Sequence, residues 1–323
     1  MSEKLHTHSV AEDEGGLRLD RWFRRHFPAV THGQLQRLLR TGQVRVDGKR
    51  AEASARLQVG QSIRVPPLAI AAPKIQEKQK SARAENDLKK MILFEDEDVI
   101  VFNKPAGLAA QGGSGIRENL DDMLAAMPHR KHGKPKLVHR LDRDTSGVML
   151  VAKSPSAAAK LSEAFRQRET QKIYWALVTG IPVPKHGRID APLVKKGEIM
   201  TVDEKGDEEA KSAITIYQTV ESMKELSAFV ALWPVTGRTH QLRVHMAYLG
   251  HPIYGDPLYG EGKILAAPAG TLGKGLHLHA RRLIIPHPRR GVIDVTAPLG
   301  VEMRKTWKWF GFDENDDANF DEA

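Results

Sequence analysis

Between residues 91 and 312 the apolar side chains come in short runs rich in β-branched and aromatic residues: DVIVFNK, GVMLVAK, KIYWALVTG, SAITIYQTV, SAFVALWPV and RRLIIP. Several alternate with a period of two, which marks strands. Two stretches, SAAAKLSEAFRQRE and THQLRVHMAYL, carry helical spacing instead. A doubly wound parallel sheet needs a helix in nearly every crossover, so it suits this pattern poorly. The expected fold is α+β: a mixed, mainly antiparallel sheet with flanking helices. The chain of 323 residues leaves room for a second, smaller domain. No apolar run approaches the ~20 residues of a membrane helix. The polar, acidic start MSEKLHTHSVAEDEGG lacks a secretory core, so the protein is expected to be cytoplasmic, with no membrane partner. The absence of cysteine excludes disulfides, thiolate metal sites and a cysteine nucleophile.

Charge is unevenly spread along the chain. Residues 16–67 hold 11 Lys/Arg against 3 Asp/Glu, whereas residues 1–15 sum to −3 and residues 313–323 to −6. A concentrated basic segment points to a polyanion, usually nucleic acid. Within it Leu19, Trp22 and Phe23 lie at i, i+3 and i+4, and Pro28 helps to end that helix. Thr31 can cap a second helix with the stripe Leu35, Leu38 and Leu39, closed by Gly42. QVRVDGKR then carries the Asp47-Gly48 turn signal, and QSIRVPP reads as a last strand. Two short helices feeding a small basic hairpin resemble the alpha-L RNA-binding domain. The resulting organisation is a flexible tail (1–15), an alpha-L domain (16–67), a linker (68–90), a larger domain (91–312) and an acidic disordered tail (313–323).

LVHRLDRDTSGVMLVAKS at 137–154 places His139, Arg140, Asp142, Asp144, Thr145 and Ser146 between two apolar strands. Such a loop can present a nucleophile or a general base, or it can simply be a turn whose Asp and Thr satisfy their own backbone. The residue chemistry alone leaves both open.

HRLDRDTSG resembles the signature loop of the RluA-type pseudouridine synthases. The resemblance extends to NKPAG at 103–107, KIYWALVTG at 172–180, TGRTHQLRVHMAYLGHPIYGDPLYG at 236–260 and LHLHARRLIIPHP at 276–288. AQGGSG at 110–115 and the 37–50 stretch resemble one type within the branch acting on large-subunit ribosomal RNA, although Gln111 stands where that type has His. The resemblance implies the pseudouridine synthase fold. It also implies conversion of uridine to pseudouridine in RNA, most simply large-subunit (23S) ribosomal RNA or its assembly intermediate. Oxidation state and atom count do not change, so no cofactor is expected, and no dinucleotide or P-loop signature is present.

The match to HRLD makes Asp142 the catalytic carboxylate, acting as nucleophile or through a glycal. Burial disfavours the charged form unless a cation lies close. The resemblance supplies that cation as Arg243, on a helix capped by Thr239 and closed by Gly250. Tyr174 is implied to stack on the target base, and Arg140 to fill the gap left by the flipped uridine. Other expected RNA contacts are Arg21, Arg24, Arg25, Arg37, Arg40 and Arg45 in the basic module, with Lys104, Arg238 and His240 in the larger domain. His240, His245, His277 and His279 lack metal-site spacing, so no metal is expected. Tyr254, Asp256 and Tyr259 are expected to shape the pocket rim. Isomerisation of tRNA on the same scaffold, or a non-catalytic RNA-binding assembly factor, are the competing readings.

Overall fold

A computed structural model describes residues 6–27, 30–67, 75–113, 116, 118–125, 127, 134–167, 169–223, 226–260, 267–268, 270–316 and 320. Pro28, Ser114 and Gly115 lie outside them. The chain divides into two compact units, Met1–Lys78 and Gln79–Ala323.

In the first unit, α1 (Leu19–His26) and α2 (His32–Arg40) pack on a three-stranded sheet ordered β1 (His6–Ser9), β3 (Ser62–Val65), β2 (Arg45–Val46). The expected stripes are the buried ones: Leu19, Trp22 and Phe23 meet Leu35, Leu39, Val44 and Ile63 in one core, with Leu38 packed against it. Thr31 caps α2 by accepting the Gln34 N–H, and the Gln34 side chain returns to the Thr31 N–H, a reciprocal capping box. Asp47 and Gly48 both take positive φ in a tight turn closed by Val46 and Lys49.

Residues 1–15 are not a free tail where they are described. Strand β1 pairs antiparallel with β3, Val10 is buried, and Glu14 enters the core. The Glu14 carboxylate accepts from the Trp22 indole (2.9 Å) and the Ala11 N–H (3.1 Å), and it meets His26 Nε2 at 2.5 Å. From residue 75 on, the supposed linker is helical. Residues Ile75–Met91 form α3, whose Ala84 and Leu88 insert against Ile100 and Phe102. Lys and Glu pairs such as Glu85–Lys89 line its outer face, which hid this two-residue seam in a polar sequence.

The second unit is built on one mixed sheet. Its strands are β4 (Ile92–Glu95), β5 (Val99–Lys104), β6 (Lys136–Leu137), β7 (Ser146–Ala152), β8 (Gln171–Thr179), β9 (His186–Asp190), β12 (Ile214–Met223), β13 (Ser227–Pro234), β14 (Leu278–Pro286) and β15 (Val292–Thr296). A separate hairpin joins β10 (Leu193–Lys196) to β11 (Ile199–Val202). The main order is β4-β5-β7-β14-β8-β13-β12-β9, with β6 on β7 and β15 on β14. Every pairing is antiparallel except β7 with β14. The α+β reading therefore holds.

Both faces of the sheet are covered, so its central strands are apolar on both sides. One face of β8 and β13 packs Trp175 and Phe229 against Trp307 of α7 (Val301–Phe310). The other packs Val178 and Val230 against Leu242 and Met246 of α6 (Gln241–Tyr248). Farther along, α4 (Leu120–Leu124) and α5 (Pro155–Arg166) cover β5 and β7 from opposite sides. The acidic end is partly anchored. Phe320 is buried near Trp233, and Arg281 donates to the Glu314 carbonyl at 2.7 Å. An apolar residue in an acidic run was enough to dock it. Among the described residues, no helix is long and apolar enough to cross a membrane.

Candidate active site

The parallel step between β7 and β14 creates the site. Gly147 sits at φ 109°, and a Cβ there would lie 2.2 Å from the Ala280 carbonyl oxygen, so only glycine fits. The loop before it, residues 138–145, is thereby held at the end of two central strands, beside the start of β14. His139 anchors the loop from one side: its ring stacks on Phe165 at 4.7 Å and its Nε2 accepts the Leu150 N–H at 2.9 Å. Burial lowers its pKa to about 3, which keeps it neutral as that acceptor role requires.

Lys104 anchors the loop from the other side. Expected to contact RNA, it is instead wholly buried. Its Nζ donates to the carbonyls of Pro105 (3.0 Å), Leu108 (2.7 Å) and Arg143 (3.1 Å). Burial pulls its pKa down to about 8 against the opposing fields of Asp144 and Asp142. The NKPAG turn and the HRLDRDTSG loop are thus tied together through one ammonium.

Between these anchors Asp142 points into a cleft of about 540 Å³. The lining includes Arg140, Arg166, Lys172, Tyr174, Arg238 and His240, and Asp142 is its single carboxylate among the described residues. Arg140 and Arg166 are exposed at the mouth. Arg238 also donates to the Ser212 carbonyl at 3.0 Å, which fixes its stem. A cationic cleft with one acid in its lining suits a phosphodiester chain whose sugar or base is brought to that acid.

Tyr174 faces the cleft from β8 while Ile173 and Trp175 face the opposite core. Burial and the field of Asp142 push its phenol above the usual tyrosine range, so it stays protonated and offers a stacking face rather than a base. Lys172 shares that cleft-facing side of β8, two residues before Tyr174. The alternation that exposed Tyr174 could have found it too. Arg166, at the end of α5, had no such signal.

Arg243 departs from its expected contact. It is buried on α6, and its guanidinium forks onto Asp256 through Nε–Oδ2 and Nη2–Oδ1 contacts of 2.7 Å each. Asp142 reaches it only as a longer-range field. Asp256, expected at the rim, has a fully buried carboxylate that also accepts the N–H groups of Leu258 and Tyr259. Burial opposes ionisation of Asp256, but these donors and Arg243 hold its pKa below the ordinary value. The residue whose side chain approaches Asp142 is His240, with Nε2 3.8 Å from Oδ2. It also takes the helix-entry position expected for Thr239, in a left-handed conformation at φ 54°. The other three histidines weighed as metal ligands are structural. His245, His277 and His279 are buried and bonded to Ala191, Gly275 and Ala297 carbonyls and to the hydroxyls of Thr215, Thr306 and Ser146.

In the first unit Arg21, Arg24, Arg37 and Arg40 are exposed on α1 and α2. Arg25 pairs with Asp13 at 2.7 Å. Arg45 donates to the carbonyls of Gly42 and Gly48, so its guanidinium serves the turn.

The RNA pseudouridylate synthase family matches residues 98–248, and the S4 domain matches residues 17–63. The chain is 38% identical to the ribosomal large subunit pseudouridine synthase C of Salmonella typhi, over 92% of this chain and 94% of that protein. It is 39% identical to the protein of the same name from Pasteurella multocida, over 92% and 91%. A human structure, RNA pseudouridylate synthase domain containing 4, superposes with a TM-score of 0.61 at 31% identity, covering 72% of this chain and 97% of that one. The chain belongs to the RNA pseudouridylate synthase family, and its smaller domain is an S4 domain. It is an RNA-directed isomerase.

Proposed function

We propose that the protein isomerises specific uridines of large-subunit ribosomal RNA, or of its assembly intermediate, with Asp142 as the catalytic carboxylate. One observation carries this reading: among the described residues a single acid, Asp142, lines a cleft whose charged lining is otherwise Arg140, Arg166, Lys172 and Arg238. The cations take the phosphates, Tyr174 supplies a face for the target base, and Asp142 meets the glycosidic carbon or its neighbour. Breaking N1–C1′, turning the base and joining C5 to C1′, with the C5 proton released to water and N1 protonated in its place, gains no atoms and changes no oxidation state, so the reaction calls for no cofactor. The relatives named as large-subunit enzymes support the choice of ribosomal RNA.

Site-resolved pseudouridine maps of ribosomal and transfer RNA test this reading in a strain lacking the protein, complemented by wild type or Asp142→Asn. Loss of ribosomal sites, restored by wild type alone, is expected. Loss confined to tRNA would overturn the substrate, and restoration by Asp142→Asn would overturn the catalytic carboxylate.

A further inference from the structure

Tyr259 joins three elements at one hydroxyl. It accepts the N–H of Met200, on the β10–β11 hairpin, at 3.1 Å, and it lies 2.8 Å from His240 Nδ1. Its ring carries the Arg243 guanidinium at 5.1 Å. The phenol oxygen already accepts a hydrogen bond from the Met200 N–H, which leaves its own O–H to donate to Nδ1. With Nδ1 as the acceptor, the ring proton falls on Nε2, the atom that faces Asp142.

We propose that Tyr259 locks His240 in the Nε2–H tautomer and so makes His240 a hydrogen-bond donor to the Asp142 carboxylate, with the β10–β11 hairpin steadying the pair. This rests on Asp142 being the catalytic carboxylate. The 3.8 Å separation is ion-pair reach, and catalytic contacts of this kind tighten when substrate fills the site. Burial leads the groups that favour a neutral ring, joined by Arg243 and Arg140, while Asp142 and Asp256 oppose them. A neutral imidazole with one defined N–H is a donor whose direction depends on what holds its other nitrogen. The left-handed backbone at residue 240 is a strained setting for a non-glycine residue, and such strain gathers where side-chain aim matters. His240 and Tyr259 are positioning residues in this scheme.

The test uses the full chain. Glutamine places its amide nitrogen where Nε2 stands, and asparagine places its own near Nδ1. His240→Gln should keep single-turnover rate at saturating enzyme within a few fold of wild type. His240→Asn and His240→Ala should lose roughly 10- to 100-fold, although asparagine tolerates the left-handed backbone better. Tyr259→Phe should slow wild type by a similar factor yet add nothing to His240→Gln. Nitrogen-15 NMR of the histidine rings should show the Nε2–H form at His240, lost in Tyr259→Phe. Equal rates for the Gln and Asn variants, or an Nδ1–H ring in wild type, would overturn the proposal. Full activity in Asp142→Asn would overturn the underlying carboxylate assignment, and the donor role with it, even with the tautomer intact.

Discussion

Arg243 and Asp256 face each other fork to fork beneath the cleft, two nitrogens on two oxygens at 2.7 Å each, with both side chains almost wholly out of water. A bidentate pair of this kind fixes geometry as well as charge. It ties α6, which delivers His240, to the turn that delivers Tyr259. Removing one partner leaves the other buried and uncompensated, at a cost of about 3–5 kcal/mol. Asp256→Ala and Arg243→Ala should each lower the urea midpoint strongly. Their double mutant should be far less than additive, and additivity would show that the pair is not coupled.

Asp142→Asn keeps the shape of the side chain and removes its charge. Single-turnover isomerisation should fall below detection while RNA affinity changes little, because phosphate contacts dominate binding. Filter binding and product analysis on the same preparation check both halves.

Lys104 offers a pH test with a sign. Three carbonyls need three N–H donors, and the neutral amine has two. Turnover should therefore decline as pH rises through about 8, where burial places this ammonium's pKa. Unfolding driven by Lys104 itself cannot be the cause. Because the folded pKa lies below the unfolded value of 10.5, the native state binds fewer protons across that window, and this group makes stability rise with pH. Lys104→Met should be slow at every pH and lose this limb, as read from rate against pH beside a urea midpoint.

Glu14 is a second group whose pKa folding depresses, in an acid window. Burial raises a carboxylate, but hydrogen bonds from His26, the Ala11 N–H and the Trp22 indole outweigh it and leave the pKa at about 2, against 4.5 ordinarily. The first unit should hold its full contribution from this group above pH 4.5 and lose it as pH falls toward 2, on the order of 3 kcal/mol. Urea unfolding followed at the Trp22 indole NMR signal should show this slope in wild type and a flatter one in Glu14→Gln.

Removal of residues 1–74 retains α3, whose Ala84 and Leu88 belong to the second unit's core. The slope of log K against log salt should fall by about one for each phosphate that the shortened protein no longer neutralises, while a minimal substrate still reacts at high enzyme concentration. An unchanged slope would remove the S4 domain from RNA binding.

The legible parts of this chain were those whose partners lie close in sequence. The Leu19/Trp22/Phe23 stripe, the Thr31–Gln34 cap, the Asp47-Gly48 turn and the alternation around Tyr174 are local patterns, and the structure carries each of them. What stayed hidden depends on distant partners. Strand β1 forms only because β3 lies more than fifty residues on. Glu14 is buried because Trp22 and His26 meet it, and Lys104 because Arg143 offers a carbonyl. Arg243 was visible as a cation on α6, but its choice of Asp256 depends on a turn whose path no periodicity describes.

The parallel seam between β7 and β14 also has a consequence for when the protein becomes competent. Ser146 and His279 meet across it, 133 residues apart in the chain. During synthesis the HRLDRDTSG loop leaves the ribosome long before β14 exists to stand beside it. The cleft's far wall, at Leu278, is among the last parts of the domain to be made. A nascent or prematurely ended chain therefore displays the carboxylate loop without the pocket around it, and competence for the reaction comes only with a nearly full-length chain.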